Sequence, residues 1–230
     1  MKKHIPNILT LLNLFCGCIA VVFAVNSNFT MAAIFVGLGI IFDFLDGLVA
    51  RLLKVQSVLG IQLDSLADMV TSGVVPGIIM FKLLEMAVGA PEMNLISDNW
   101  NASFNFRGFT QSYLPLLGFA ITLASAYRLA RFNIDEDQQT YFKGLPTPAN
   151  TIFILSLPLI IEFQNNDSLS VAILNPYMLI EITIMSCILL NAPIKLFALK
   201  FKAGGFKTNA SRYIFLMLCL VFLIIFRFAA

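Results

Sequence analysis

Four aspartates supply the first recognisable chemistry in this sequence: Asp43, Asp46, Asp64 and Asp68, each set in an apolar stretch. Asp43 and Asp46 are three residues apart and Asp64 and Asp68 four apart, spacings that place each pair on one face of a helix. The connection between the two stretches is short, so the helices are expected to be antiparallel neighbours with all four carboxylates at similar depth. Carboxylates this close repel one another, and each is costly inside a membrane. Arg51 is one nearby positive charge and cannot balance four. Divalent cations can. Hard oxygen ligands suit magnesium, manganese or calcium, whereas zinc favours His or Cys, and the single histidine, His4, lies at the N-terminus. A pair of cations here could clamp a phosphoryl group and stabilise both its attacking and its leaving oxygen.

The residues around the carboxylates fit the same chemistry. Gly47 and Ala50 leave the helix surface bare beside them, where a nucleotide could approach closely. Gly60 is expected to permit a tight start to the next helix, and Arg51 is placed to pair with a phosphate. A single intramembrane aspartate is also what an interhelical hydrogen bond requires, but that reading accounts poorly for four at once. Gly73 and Gly77, with Pro76 between them, predict close helix packing and a kink rather than chemistry.

Elements able to position these residues follow from composition. Of 230 residues 59% are hydrophobic and only 12% charged, too apolar for an ordinary soluble domain. Seven apolar segments, at 6–25, 29–52, 62–88, 112–132, 148–164, 171–190 and 211–229, have about the length of a membrane crossing. In lipid each must satisfy its own backbone hydrogen bonds, so all are expected to be helices. The fold class expected is an all-α, polytopic membrane helical bundle. Counting the N-terminus and alternate loops on one side collects twelve of the fifteen Lys and Arg residues. By the positive-inside rule the N-terminus and the 53–61 and 133–147 loops are cytoplasmic, and with them the acidic site. No cleavable leader is evident after Met1-Lys2-Lys3. Cys16, Cys18, Cys187 and Cys219 read as buried packing residues, and a net charge of +2 gives no reason to expect a nucleic-acid partner.

The run D-x2-D-G-x2-A-R-x8-G-x3-D-x3-D, complete from Asp43 to Asp68, resembles the signature of the CDP-alcohol phosphotransferase family. The resemblance implies a membrane enzyme with a six-helix core, usually homodimeric, that uses divalent metal (Mg2+ or Mn2+) to displace CMP from a CDP-linked substrate by an alcohol. It further implies that Asp43, Asp46 and Asp64 bind metal, with Asp68 sharing the site and acting as general base. Gly47, Ala50, Arg51 and Gly60 would line the CDP-lipid pocket, joined by Asn7 and Thr10 from the first helix. Against that core, residues 1–202 form the membrane domain, and 203–230 a basic loop with an appended seventh helix.

Three stretches extend the resemblance to the branch of the family whose acceptor is serine: Gln62–Asp68 with Gly73–Pro76, Tyr127–Asn133 with Phe142–Asn150, and the basic 191–202 loop with Pro193. The implied reaction transfers the phosphatidyl group of CDP-diacylglycerol to L-serine in the cell membrane. Arg128, Arg131 and Lys143 offer cationic donors for the serine carboxylate or for the lipid diphosphate, and Asn133 a neutral hydrogen bond; Asp135 or a backbone carbonyl is the candidate acceptor for the ammonium. Glycerol 3-phosphate, the acceptor of phosphatidylglycerophosphate synthases, would use the same basic residues. A divalent-cation transporter would also place acids in the membrane, but it does not explain the spacing of Gly47, Ala50, Arg51 and Gly60.

Overall fold

A computed structural model describes residues 4–55, 57–89, 113–134, 142–164 and 167–196. The first six apolar segments fall largely among them and are helical. The seventh, 211–229, lies outside the described residues, as do the rest of the 203–230 extension, Cys219 and Asp135. The helices are α1 (Ile5–Val25), α2 (Phe29–Leu53), α3 (Val58–Val88), α4 (Phe119–Ile134), α5 (Thr147–Phe163), α6 (Asp167–Ile173) and α7 (Pro176–Asn191).

Local sequence sets their ends. Pro6 sits in the first turn of α1, where no N–H is needed. Asn28 caps α2 by accepting from the Met31 N–H at 3.1 Å, and Ser57 caps α3 by accepting from the Gly60 N–H at 3.0 Å. Lys54 closes α2 in a left-handed conformation, with φ of 52°. The turn between the acidic helices is therefore shorter than the 53–61 loop expected from sequence. It is Lys54, not Gly60, that adopts the unusual backbone.

α3 is the central element: 67% of its apolar window is buried inside the protein, against 33% for α1 and 22% for α2. Val75, Ile79, Met80, Leu83 and Leu84 of α3 meet Ile121 of α4, Ile154 of α5 and Leu179 of α7 in the core. α1 and α2 run antiparallel and meet through Ala20, Ala24 and Ala32, all without exposed surface. Such small residues let helix backbones approach closely in lipid, where packing rather than the hydrophobic effect drives association. Large side chains such as Phe15 (62% exposed) and Phe44 (64% exposed) point outwards, as a lipid-facing surface requires. α1, α2 and α3 are each long and apolar enough to cross a membrane, so the chain fits a multi-pass membrane protein.

Two segments depart from the sequence expectation. The fourth opens with a 3-10 turn, Leu114–Gly118, before α4 begins. The sixth is not one straight helix: α6 and α7 meet at a bend of 61°. Pro176 has no N–H and disfavours a helical residue before it; Asn175 is accordingly extended, and its side chain caps the Tyr177 N–H at 2.9 Å. A two-residue antiparallel pairing, β1 (Phe142–Lys143) with β2 (Lys195–Leu196), ties the α4–α5 connection to the chain leaving α7. Nothing in the apolar periodicity announces it.

The kink expected at Gly73–Gly77 takes a different form. Met69–Val74 is a π-helical stretch within α3, immediately after Asp68. Pro76 cannot donate to the carbonyl four residues back, that of Ser72. The Thr151 hydroxyl lies 3.0 Å from that oxygen and 2.9 Å from the Thr147 carbonyl of its own helix, sharing its proton between them, and the Thr122 hydroxyl donates to the neighbouring Gly73 carbonyl at 3.0 Å. Threonines of α4 and α5 thus satisfy the carbonyls that the irregular turn releases.

Gly144 gives a direct test of the packing beside β1. Its φ is +79°, and an added Cβ would lie 2.5 Å from the Leu190 carbonyl oxygen. Gly144→Ala should cost about 1–3 kcal/mol from backbone strain, lowering the thermal midpoint of the detergent-solubilised protein by roughly 2–4 °C per kcal/mol. Gly37→Ala, inside α2 where a Cβ meets nothing within 4 Å, should leave the midpoint unchanged or raise it slightly.

Candidate active site

α2 and α3 deliver the acidic residues together, as their spacing predicts. Carboxylate oxygens of Asp43, Asp64 and Asp68 all lie within 4.8 Å of one another. Asp64 Oδ1 is buried without a hydrogen-bond partner. Three half-buried carboxylates at this separation, one with an orphaned oxygen, form a donor set that fits a hard divalent cation. Asp46 is held differently. It is 6% exposed and accepts a hydrogen bond from the Thr10 hydroxyl, which also contacts the Pro6 carbonyl at 3.1 Å. All four carboxylates were expected at similar depth; Asp43, Asp64 and Asp68 form one cluster, and Asp46 is anchored beside it by α1.

α1 makes a second contact with the acids. Asn13, with no exposed surface, donates from Nδ2 to Asp68 Oδ1 at 3.3 Å. Its Oδ1 in turn accepts from the Thr71 hydroxyl at 2.9 Å. Sequence reasoning did not assign Asn13 or Thr71 to the site. The available signal was positional: Asn13 follows Thr10 by three residues and so shares its face of α1.

The small residues of the motif are placed as follows. Around Gly47 an added Cβ would meet only Arg51 Nη2, at 3.9 Å, so the surface beside the acids is open. Gly60 lies in the first turn of α3, where a Cβ would come within 3.4 Å of Asn7 Oδ1. An added Cβ would also lie 3.2 Å from the Ser57 hydroxyl that caps α3, so Gly60 stands both in the tight start of that helix and at its approach to α1. Arg51 is exposed and folds back to donate from Nε to the Gly47 carbonyl at 2.9 Å. It thus makes no ion pair with the aspartates. Ala50 is half-buried one residue earlier.

The basic residues expected to meet the acceptor are only partly gathered. Arg128 projects from α4 into electrostatic range of Asp68. Its Nη1 donates to the Thr147 hydroxyl at 3.4 Å, while its Nε is buried without a partner. Arg131, one turn on, is exposed; with Arg128 and the end of α7 at Leu190–Pro193 it lines a small cavity of about 20 Å³. Asn133 pairs with the Ser65 hydroxyl at 3.0–3.1 Å, which ties α4 to the acidic face of α3. Lys143 is placed by its backbone alone, in β1.

Comparison with known proteins sets this geometry among relatives. The CDP-alcohol phosphatidyltransferase family description matches residues 3–189. The chain is 32% identical over 170 residues to the CDP-diacylglycerol–serine O-phosphatidyltransferase of Saccharomyces cerevisiae, covering 67% of this chain and 53% of that protein. It is 28% identical over 147 residues to the enzyme of the same name from Bacillus subtilis, covering 64% of this chain and 70% of that one. An archaetidylserine synthase of Methanothermobacter thermautotrophicus is 29% identical over 155 residues, 66% of this chain and 56% of its own. The match thus spans about half the length of the yeast and archaeal relatives.

The cluster makes a separable prediction about cation binding. Asp43→Asn and Asp64→Asn should each weaken Mn2+ binding, followed by electron paramagnetic resonance on substrate-free protein, by at least about tenfold, the scale lost even when a residue supporting a metal ligand is removed. Thr10→Val, which releases Asp46 alone, should have a smaller effect.

Proposed function

The chain belongs to the CDP-alcohol phosphatidyltransferase family, and from that premise we propose that it transfers the phosphatidyl group of CDP-diacylglycerol to the hydroxyl of L-serine, releasing CMP. The observation that carries the proposal is the position of Arg128, half-buried within electrostatic range of Asp68 with an unpaired Nε, which calls for an anionic acceptor. A guanidinium there can hold the carboxylate of serine while its hydroxyl meets Asp68. The names of the relatives from yeast and Bacillus support the same acceptor.

Asp43, Asp46, Asp64 and Asp68 are assigned to the metal site, with Mg2+ or Mn2+ as the cation. When bound, such a cation offsets negative charge on the diphosphate and on the departing CMP. The chain's own residues do the rest. The diacylglycerol tails remain in the bilayer, and the CDP head lies against the open surface at Gly47 and Ala50, near Asn7, Thr10 and Gly60. Arg51 is free to leave the Gly47 carbonyl and pair with the diphosphate. Asp68 accepts the proton of the serine hydroxyl as that oxygen forms its bond to the lipid phosphorus. The bond from that phosphorus to the bridging oxygen breaks, and CMP departs with the electron pair. Arg131, Asn133 and Lys143 are assigned to the acceptor side. Cytoplasmic placement of the site in the cell membrane follows from the positive-inside count, and the protein is proposed to act as a homodimer.

The decisive experiment incubates the purified full chain with CDP-diacylglycerol, Mg2+ or Mn2+, and labelled serine, glycerol 3-phosphate, inositol phosphate or choline in separate reactions. Phosphatidylserine and stoichiometric CMP are expected, and both should vanish with EDTA. Preferential labelling of the glycerol 3-phosphate product would overturn the serine assignment. Asp68→Asn should lower kcat by roughly 10²–10⁴-fold, the range contributed by a general base; CMP release at the wild-type rate would remove that role from Asp68.

A further inference from the structure

The Asn13–Thr71 pair is built more tightly than helix packing alone requires. Both side chains are sealed from solvent, at 0% and 1% exposure. Two glycines make room for them. A Cβ on Gly17 of α1 would collide with the Thr71 hydroxyl and lie 3.2 Å from its Cα; a Cβ on Gly39 of α2 would lie 2.9 Å from both Asn13 Oδ1 and Thr71 Cγ2. Three helices therefore converge on one polar contact, with no room for a side chain at either glycine.

The hydrogen bonds give this contact a direction. A carboxylate only accepts, so the Asn13 group facing Asp68 must be Nδ2. The opposite end of the amide, Oδ1, then faces the Thr71 hydroxyl, which donates to it at 2.9 Å. Thr71 belongs to the π-helical stretch that begins one residue after Asp68. The same segment that carries the acid therefore also fixes, through Asn13 on another helix, which way the acid points.

We infer that Asn13 is a positioning residue for Asp68, with its amide oriented by Thr71, and that the π-helical stretch of α3 exists in part to place Thr71 for this task. The inference rests on the role given to Asp68 above. By engaging Oδ1, Asn13 restricts rotation of the Asp68 carboxylate. Without it, the Asp68 side chain can rotate, and neither its distance to the acceptor hydroxyl nor its place in the carboxylate cluster is fixed.

The test compares Thr71→Val, which removes the hydroxyl but keeps the shape, with Thr71→Ser, which keeps the hydroxyl, and with Asn13→Ala. Each is read as kcat at saturating metal and substrates, as KM for both substrates, and as Mn2+ affinity of the substrate-free protein. If the wild type prefers another alcohol, kcat is read with that alcohol, since the placement of Asp68 does not depend on the acceptor. Thr71→Val and Asn13→Ala are expected to lower kcat roughly 10- to 100-fold, to weaken Mn2+ binding, and to leave KM near its wild-type value, while Thr71→Ser retains most of the activity. The double variant should lose no more than Asn13→Ala alone, because both changes break one relay. Wild-type kcat and Mn2+ affinity in Thr71→Val, or equal losses in Thr71→Ser and Thr71→Val, would overturn the inference and leave a packing contact. Wild-type CMP release by Asp68→Asn would instead refute the catalytic reading of Asp68, while the Mn2+ titration would still report whether Asn13 holds that carboxylate.

Discussion

Holding the carboxylates of Asp43, Asp64 and Asp68 within 4.8 Å of one another among apolar helices is unfavourable unless positive charge and hydrogen bonds are supplied locally, and much of the surrounding architecture answers that demand. α1 contributes no acid of its own, yet it provides Thr10 to Asp46 and Asn13 to Asp68. α4 provides Arg128 on the other side. Both helices lie against the acidic faces of α2 and α3 with polar residues turned inwards, while their apolar side chains, such as Phe15 and Leu123, face outwards. Even so, Asp64 Oδ1 is left buried without a hydrogen-bond partner.

The irregularity of α3 belongs to the same arrangement. Even a straight α-helix through residues 69–74 would leave the Ser72 carbonyl without a donor, because residue 76 is proline. With the π-helical stretch and Pro76, the oxygens of Ser72 and Gly73 are instead bound by Thr151 and Thr122. These hydrogen bonds lock α4 and α5 to the helix that carries Asp64 and Asp68. Arg128 and Thr147, which lie on those same two helices, inherit a fixed position relative to the acids. Irregular backbone at membrane depth is tolerated here because neighbouring helices re-satisfy it, and it lies beside the site rather than away from it.

Close packing replaces the hydrophobic effect as the source of cohesion. Alanines between α1 and α2, and glycines at 17, 39, 77 and 118, bring backbones close enough for side chains on one helix to reach polar atoms on another. Gly118 illustrates the scale: an added Cβ would lie 2.5 Å from the Phe81 backbone nitrogen. Precision of this kind is what a phosphotransfer site needs, since the reacting groups are aligned by the frame rather than by mobile loops.

Stretch length and residue spacing were enough to specify the class of the protein and the identity of its acids. Apolar stretches of membrane-crossing length are expected to be helices in lipid, and carboxylates spaced three and four apart on two consecutive stretches share a face on each, so the bundle and most of the Asp43–Asp68 constellation were legible without coordinates, though not the separate anchoring of Asp46. The family resemblance was legible for the same reason, because the motif is local and its spacing is helical. Tertiary structure decided what spacing cannot encode: which helix of another stretch lies against each acid, and at what height. That Asn13 meets Asp68, that Thr71 meets Asn13, and that Arg51 turns away while Arg128 turns in, all depend on helix rotation and on a π-helical turn set by contacts distant in sequence. Periodicity fixes a residue's face on its own helix; only packing fixes what that face opposes.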